Sequence, residues 1–337
     1  MSRKLVYKAI EFDRPERAPR DLWVLPWADI HYPDAVRELR SRYPSDIKSA
    51  SSFRRESSAV RGEMHKVGTY VDAWGCVFEN IHEGIHGEIK DPIVKGEEWE
   101  DRDKVHIPME WFDIDTEGVN AYCRENDVFV LSGFCARPFE RLQFIRGTEQ
   151  LYIDLALRNE GLMEFIETLH KFNCDLMEAW AKTDVDSLFM MDDWGAQNNL
   201  LISPDSWIDI FKPMYRDYCE IAKANGKKMF MHSDGNILKI YPHLIEIGVD
   251  ALNSQIFCMG IDNLKQYAGK ITFWGEMDRQ HMLVDKTPAD IDEAVRHIND
   301  TLWKDGGCIA QCEFGPGGKP ENVMQTYKSW DEIAGDK

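Results

Sequence analysis

The sequence predicts an α/β barrel, and three observations carry that prediction. Short apolar segments alternate with helix-like segments through the second half of the chain, the loops between them are short, and nearly every apolar segment ends in a polar tip. Alternation of this kind implies right-handed βαβ units and a parallel sheet. At 337 residues the chain is long for an average domain and normal for one barrel. With no repeat, low-complexity tract or linker, residues 1–337 read as a single domain.

Asp21–Leu25 (DLWVL) and Val128–Phe134 (VFVLSGF) are the expected early strands. Residues 32–115 between them are charged and irregular, with a helix expected at Pro33–Arg42. Val71–Asn80 and Gly84–Pro92 are expected to form an excursion or hairpin over one barrel face, where insertions usually serve the catalytic end. Leu151–Thr183 reads as two helices. Ser187–Asp192 is a strand, and Pro204 to Asn225 a helix capped by Ser203 and stopped by Gly226. Lys228–His232 is the next strand, Ile237–Ile247 a helix, Asp250–Gln255 a strand and Asp262–Tyr267 a short helix. Ile271–Gly275 (strand), Pro288–Trp303 (helix capped by Thr287), Cys308–Phe314 (strand) and Pro320–Ile333 (helix) complete the series.

Composition excludes several classes. A net charge of −19 argues against nucleic acid as a partner, since phosphate binding needs a basic surface. No stretch approaches 18 apolar residues, so no membrane span is expected. The opening MSRKLVYKAIEFDRPER has no apolar core of a signal peptide, and the eight scattered cysteines read as reduced thiols in a cytoplasmic protein.

Barrels of this type place their chemistry at the C-terminal ends of the strands. MFMHSDG (Met229–Gly235) is an apolar strand running into a polar tip. Side chains alternate along a strand, so His232 and Asp234 share a side. An imidazole and a carboxylate so placed make either a metal clip or a hydrogen-bonded turn. Cys312 lies near the end of the last strand, on the same side as Cys308. A thiolate near His232 and Asp234 would give zinc three ligands and leave a fourth position open, whereas packing cysteines are the plain alternative. Alternation lets only one of Asp192 and Asp193 face the axis. That one is expected to contact substrate or a proton, the other to cap the following segment. Glu276 and Asp278 share a face and read as a general acid/base pair, with Glu276 the catalytic candidate, or as outer partners of a metal ligand; Arg279 and His281 could equally neutralise both in a salt-bridged loop. Asn253 and Gln255 form a further polar tip and are candidate substrate-binding residues. Trp74 and Trp194 are candidate walls of a flat apolar pocket, whereas Trp23 and Trp274 read as core.

The run DDWGAQNNLLISPDSWIDIFKPMYRDYCEIAKANGKKMFMHSDGNI, followed by LIEIGVDALNSQ and ITFWGEMD, resembles the uroporphyrinogen decarboxylase superfamily, and most the branch containing cobalamin-dependent methyltransferases. The likeness is dense from about Asp192 to Glu321. VDAWGCVFENI and RPERAPRDLW resemble upstream motifs of that branch. The resemblance implies a single (β/α)8 TIM barrel with an N-terminal-half insertion over the catalytic face. The decarboxylases hold the acetate arms of a tetrapyrrole with arginines in a run like R-Q-A-G-R; this chain reads LPWADIHYPDAV there. The methyltransferases bind zinc through a His-x-Cys pair and a distal Cys. His232 matches the first, Asp234 stands where the Cys would be, and Cys312 falls close to the distal one. The resemblance thus implies a zinc-dependent methyltransferase moving a methyl group between a small substrate (methyl ether, amine or thiol) and a corrinoid. With no D-x-H-x-x-G run here, the cobalamin is expected on a corrinoid partner protein. A tetrapyrrole decarboxylase and a non-catalytic ligand-binding barrel are the alternatives.

Overall fold

A computed structural model of the chain describes residues 2–335. Eight parallel strands form the barrel wall: β1 (Arg20–Val24), β2 (Ile47–Ser49), β3 (Phe129–Ala136), β4 (Ser187–Met191), β5 (Lys228–Ser233), β6 (Ala251–Ser254), β7 (Thr272–Trp274) and β8 (Cys308–Phe314). Adjacent strands pair in sequence order from β2 to β8, and β8 pairs with β1. Between β1 and β2 the ring closes through Asp46, whose N–H donates to Arg20 O at 2.8 Å. Its carboxylate accepts from Arg20 N at 2.7 Å. This is the predicted (β/α)8 TIM barrel.

Two apolar layers hold it together. Inside the ring, Phe129, Leu131, Phe230, Trp274 and Ile309 pack against Val6 and Ile10. Those two belong to an N-terminal helix, Ser2–Ile10, that seals the end where the strands begin. Outside the ring, the other face of each strand packs on the surrounding helices. Parallel strands are buried on both faces, which is why they read as continuous apolar runs.

The helices follow the sequence with local departures. The expected Leu151–Thr183 pair appears as Thr148–Leu157 and Glu160–Ala181. They are split where Arg158 turns left-handed (φ 54) and the Asn159 side chain caps Leu162 N at 3.0 Å. The expected Pro204–Asn225 helix is interrupted by a π-helical turn, Trp207–Phe211, before Lys212–Ala224. Pro213 explains it: the residue has no N–H for the carbonyl four residues back, and the helix widens to accommodate the ring. Only Tyr241–Ile247 of the expected Ile237–Ile247 helix is regular. The insertion contains a three-stranded antiparallel sheet, Gly68–Val71, Val77–Asn80 and Glu88–Ile89, roofing the C-terminal face of the barrel. Asp72 builds its tight turn by accepting from Trp74 N (2.9 Å) and Cys76 N (2.8 Å), and its other oxygen pairs with Arg141 on the barrel. Among the described residues no helix is long and apolar enough to cross a membrane, and none of the eight cysteines is in a disulfide.

Candidate active site at the strand tips

Alternation decides which side chains reach the barrel mouth. In β4, Leu188 and Met190 pack outward, so Phe189 and Met191 face inward and Asp193 continues that inner row. In β5, Met229 and Met231 pack outward, and Phe230, His232 and Asp234 follow the inner row. The two tips stay paired beyond the strands: Gly195 N donates to Asp234 O at 3.0 Å and Asn236 N to Ala196 O at 2.9 Å. Gly195 and Gly235 make this possible, since a Cβ on Gly235 would stand 2.0 Å from Gly195 O.

Asp193, His232 and Asp234 therefore converge, with one ligating atom from each lying within 4.8 Å of the others. His232 Nε2 is 3.5 Å from Asp193 Oδ1 and 3.6 Å from Asp234 Oδ1. Its Nδ1 is 2.6 Å from Asn253 Oδ1. Asn253 Nδ2 donates to Trp274 O, which fixes Oδ1 as the acceptor and places a proton on Nδ1 of His232. Nε2 is thereby aimed at the carboxylates. This is the arrangement by which an orienting carbonyl prepares an imidazole for a metal. Burial opposes charge on His232, but the hydrogen bond to Asp193 and the charges of Asp234 and Asp193 raise it to about 9. Burial would likewise raise Asp193; its bond with His232 prevails and lowers it.

A second layer of charge surrounds the cluster. Arg279 contacts Asp234, Glu276 (3.1 Å) and Glu313 (3.5 Å). Burial raises Glu276 to about 8 against the pull of Arg279, and raises Glu313 as well. The cluster lies against a cavity of about 710 Å³, walled by Trp23, Trp74, Trp111, Phe78, Phe134 and Phe144. Six carboxylates (Glu56, Asp72, Glu140, Asp193, Asp234, Glu313) line it, against four arginines (54, 137, 141, 279) and His232.

The structure sorts the predicted site residues. His232 and Asp234 meet as expected, and Asp193 is the member of its pair that faces the cavity. Asp192 is buried behind the wall, accepting from Phe139 N (3.0 Å), Glu140 N (2.7 Å) and the Tyr215 hydroxyl. It caps the helix Pro138–Arg146 that follows β3, not the segment after β4. Asn253 and Gln255 hold the cluster instead of lining the cavity: Gln255 accepts from Gly235 N (3.1 Å) and donates to Asp234 Oδ1 (3.3 Å). Glu276 sits beneath Arg279. Trp74 is in the cavity wall. Trp194 is fully buried, stacked on Phe139 at 4.1 Å. Trp23, expected in the core, lines the cavity at 5.3 Å from the His232 ring.

Cys312 is not brought to the cluster. It follows the outer row of β8 with Cys308, and its thiol donates to Tyr327 Oη at 3.5 Å. Burial pushes that thiol up to about 12. Glu313 takes the inward position. Arg54, Arg137 and Arg141 went unread as site residues. Arg54 lies in the irregular insertion, where no periodicity shows which side chains turn inward.

Fold and site define a (β/α)8-barrel with an acidic, histidine-bearing pocket at its strand tips. The chain belongs to the uroporphyrinogen decarboxylase (URO-D) family, whose model matches residues 69–333. No curated protein matches it at a significant level. Among solved structures it is similar to a methyltransferase from Methanosarcina mazei, with 12% identity, 98% of each chain covered and a TM-score of 0.71. A B12-independent methionine synthase from Shewanella sp. W3-18-1 has 11% identity over 89% of this chain and 85% of that one, TM-score 0.46. A family 10 endo-beta-1,4-xylanase from Gloeophyllum trabeum has 10% identity over 95% and 99%, TM-score 0.45.

Proposed function

We propose that this chain is a metal-assisted methyltransferase, moving a methyl group between a small substrate and a corrinoid carried on a separate protein. The observation that carries this reading is the Asp193–His232–Asp234 cluster at the edge of an aromatic-walled cavity.

The residues fit a divalent cation. They offer two carboxylate oxygens and one imidazole nitrogen oriented by Asn253, in a lining with more carboxylates than arginines. Zinc is the ion we assign; when bound, it supplies a Lewis acid for the heteroatom bearing the methyl group. A donor set without thiolate is hard, and suits an oxygen-borne methyl group, as in a methyl ether, better than an amine or a thiol. Arg279 holds one oxygen of Asp234 and Gln255 the other, fixing that carboxylate. Trp23, Trp74 and Trp111 give a flat substrate apolar faces and displace water from the site.

Decarboxylation of a tetrapyrrole needs several free cations for the acidic arms. Three of the four cavity arginines are already paired: Arg137 with Glu140, Arg141 with Asp72, and Arg279 with Asp234, Glu276 and Glu313. That pairing favours methyl transfer.

The test is metal content by plasma mass spectrometry, with methyl-ether turnover by cob(I)alamin measured alongside. About one zinc per chain is expected, with at least a roughly tenfold loss in Asp193→Ala and His232→Ala and none in Cys312→Ala. Protein that carries no metal, or that loses it only in Cys312→Ala, would sink the reading.

A further inference from the structure

We infer that Arg54 and Trp111 form an oxyanion subsite, and that the substrate is a flat, unsaturated carboxylic acid whose carboxylate docks there. This rests on the methyl-transfer reading only for the group the acid would carry.

Three donors in the cavity wall have no acceptor: Arg141 Nε, on a side chain already paired with Asp72, and two on side chains that touch each other. Arg54 Nε and Trp111 Nε1 are both buried and neither has a hydrogen-bond partner. Buried N–H groups are rarely left unpaired, and an orphan in a pocket marks where a ligand atom belongs. The two side chains are one unit: the Arg54 guanidinium carbon lies 4.0 Å from the centre of the Trp111 ring. Stacking fixes the plane of the guanidinium. Trp111 is itself held edge-on by Trp74, 6.3 Å away, and packs on Phe134 at 6.0 Å.

Arg54 differs from the other cavity arginines. Among the described residues no carboxylate forms an ion pair with it; burial works against its charge, and the charge of Glu56 offsets this only in part. A planar guanidinium edge presents parallel N–H groups matched to a carboxylate. Charge selects among anions. The cavity lining carries more carboxylates than arginines, which disfavours a phosphate dianion more strongly than a single negative charge. The walls select the rest of the molecule: Trp74, Trp111, Phe134 and Phe144 offer ring faces and edges for an unsaturated body.

The experiment is calorimetric titration of the full chain with benzoate, benzamide, 3-methoxybenzoate and inorganic phosphate. Wild type, Arg54→Gln, Arg54→Lys and Trp111→Phe are compared, each checked for folding by thermal melt. Wild type should bind benzoate at least about tenfold tighter than benzamide. The preference should vanish in Arg54→Gln, fall in Arg54→Lys and weaken several-fold in Trp111→Phe. Equal binding of acid and amide by wild type, no binding of either, or phosphate binding as tightly as benzoate would overturn the subsite. Failure of methyl transfer reads differently: benzoate preference persists, while 3-methoxybenzoate is not demethylated.

Discussion

Metal binding at the strand tips should depend steeply on pH, because the ion competes with a proton on His232. In the metal-free protein His232 holds its proton up to about 9, although burial opposes this, because Asp193 and Asp234 flank Nε2. At pH 7 the ring is therefore an imidazolium, and ligation through Nε2 must expel that proton. The gap from pH 7 to about 9 is roughly two units at 1.36 kcal/mol each, or about 2.7 kcal/mol. Apparent affinity should thus be about a hundredfold weaker at pH 7 than above pH 9. Chelator-competition titrations with zinc between pH 6.5 and 9.5 measure it. The logarithm of affinity should climb about one unit per pH unit and flatten near 9, with about one proton released per ion. A plateau beginning near 6.5, the ordinary histidine value, would refute the argument. Stability carries the same signature with the sign of a raised histidine. The ion-pair contribution is complete below 6.5 and fades as pH rises through about 9, a loss on the order of 3 kcal/mol for metal-free protein. Metal-loaded protein should show no such decline.

Two substitutions separate support from chemistry. Asp192→Ala removes the acceptor of Phe139 N, Glu140 N and the Tyr215 hydroxyl, leaving three buried donors at roughly 1–3 kcal/mol each. Urea unfolding should show a loss of about 3 kcal/mol or more, while metal affinity of the folded fraction stays within about twofold. An unchanged midpoint would contradict the capping role. Gly235→Ala alters no ligand, yet its Cβ cannot coexist with Gly195 O, so the tips must part and Asp193 and Asp234 with them. Metal affinity should fall by at least about tenfold; an unaltered affinity would mean the tips are not rigidly joined.

The second half of the barrel was legible because strand and helix periodicities alternate with glycine stops such as Gly226 and Gly248. β2 escaped because its three residues lie in a charged stretch whose neighbours give no alternation. The Ser2–Ile10 helix escaped because its apolar face meets only strand interiors, a long-range partner that local pattern does not show. At the site, parity showed that Cys308 and Cys312 share a side, and they do. Parity cannot show which side faces the axis. That is settled by Ile309 packing inside the ring, which sends Glu313 inward and Cys312 towards Tyr327. The same limit applied to Asp192 and Asp193, where two rows were open and tertiary packing chose one.

The joined tips of β4 and β5 separate two properties that metal sites usually mix. Where a donor stands is set by main chain against main chain, at Gly195 and Gly235. What the donor is depends only on the side chain hung there. A frame of this kind can exchange a thiolate for a carboxylate at position 234 without being rebuilt. On the proposed metal reading, hardness, and with it the heteroatom preferred, would become a one-residue variable on a fixed geometry.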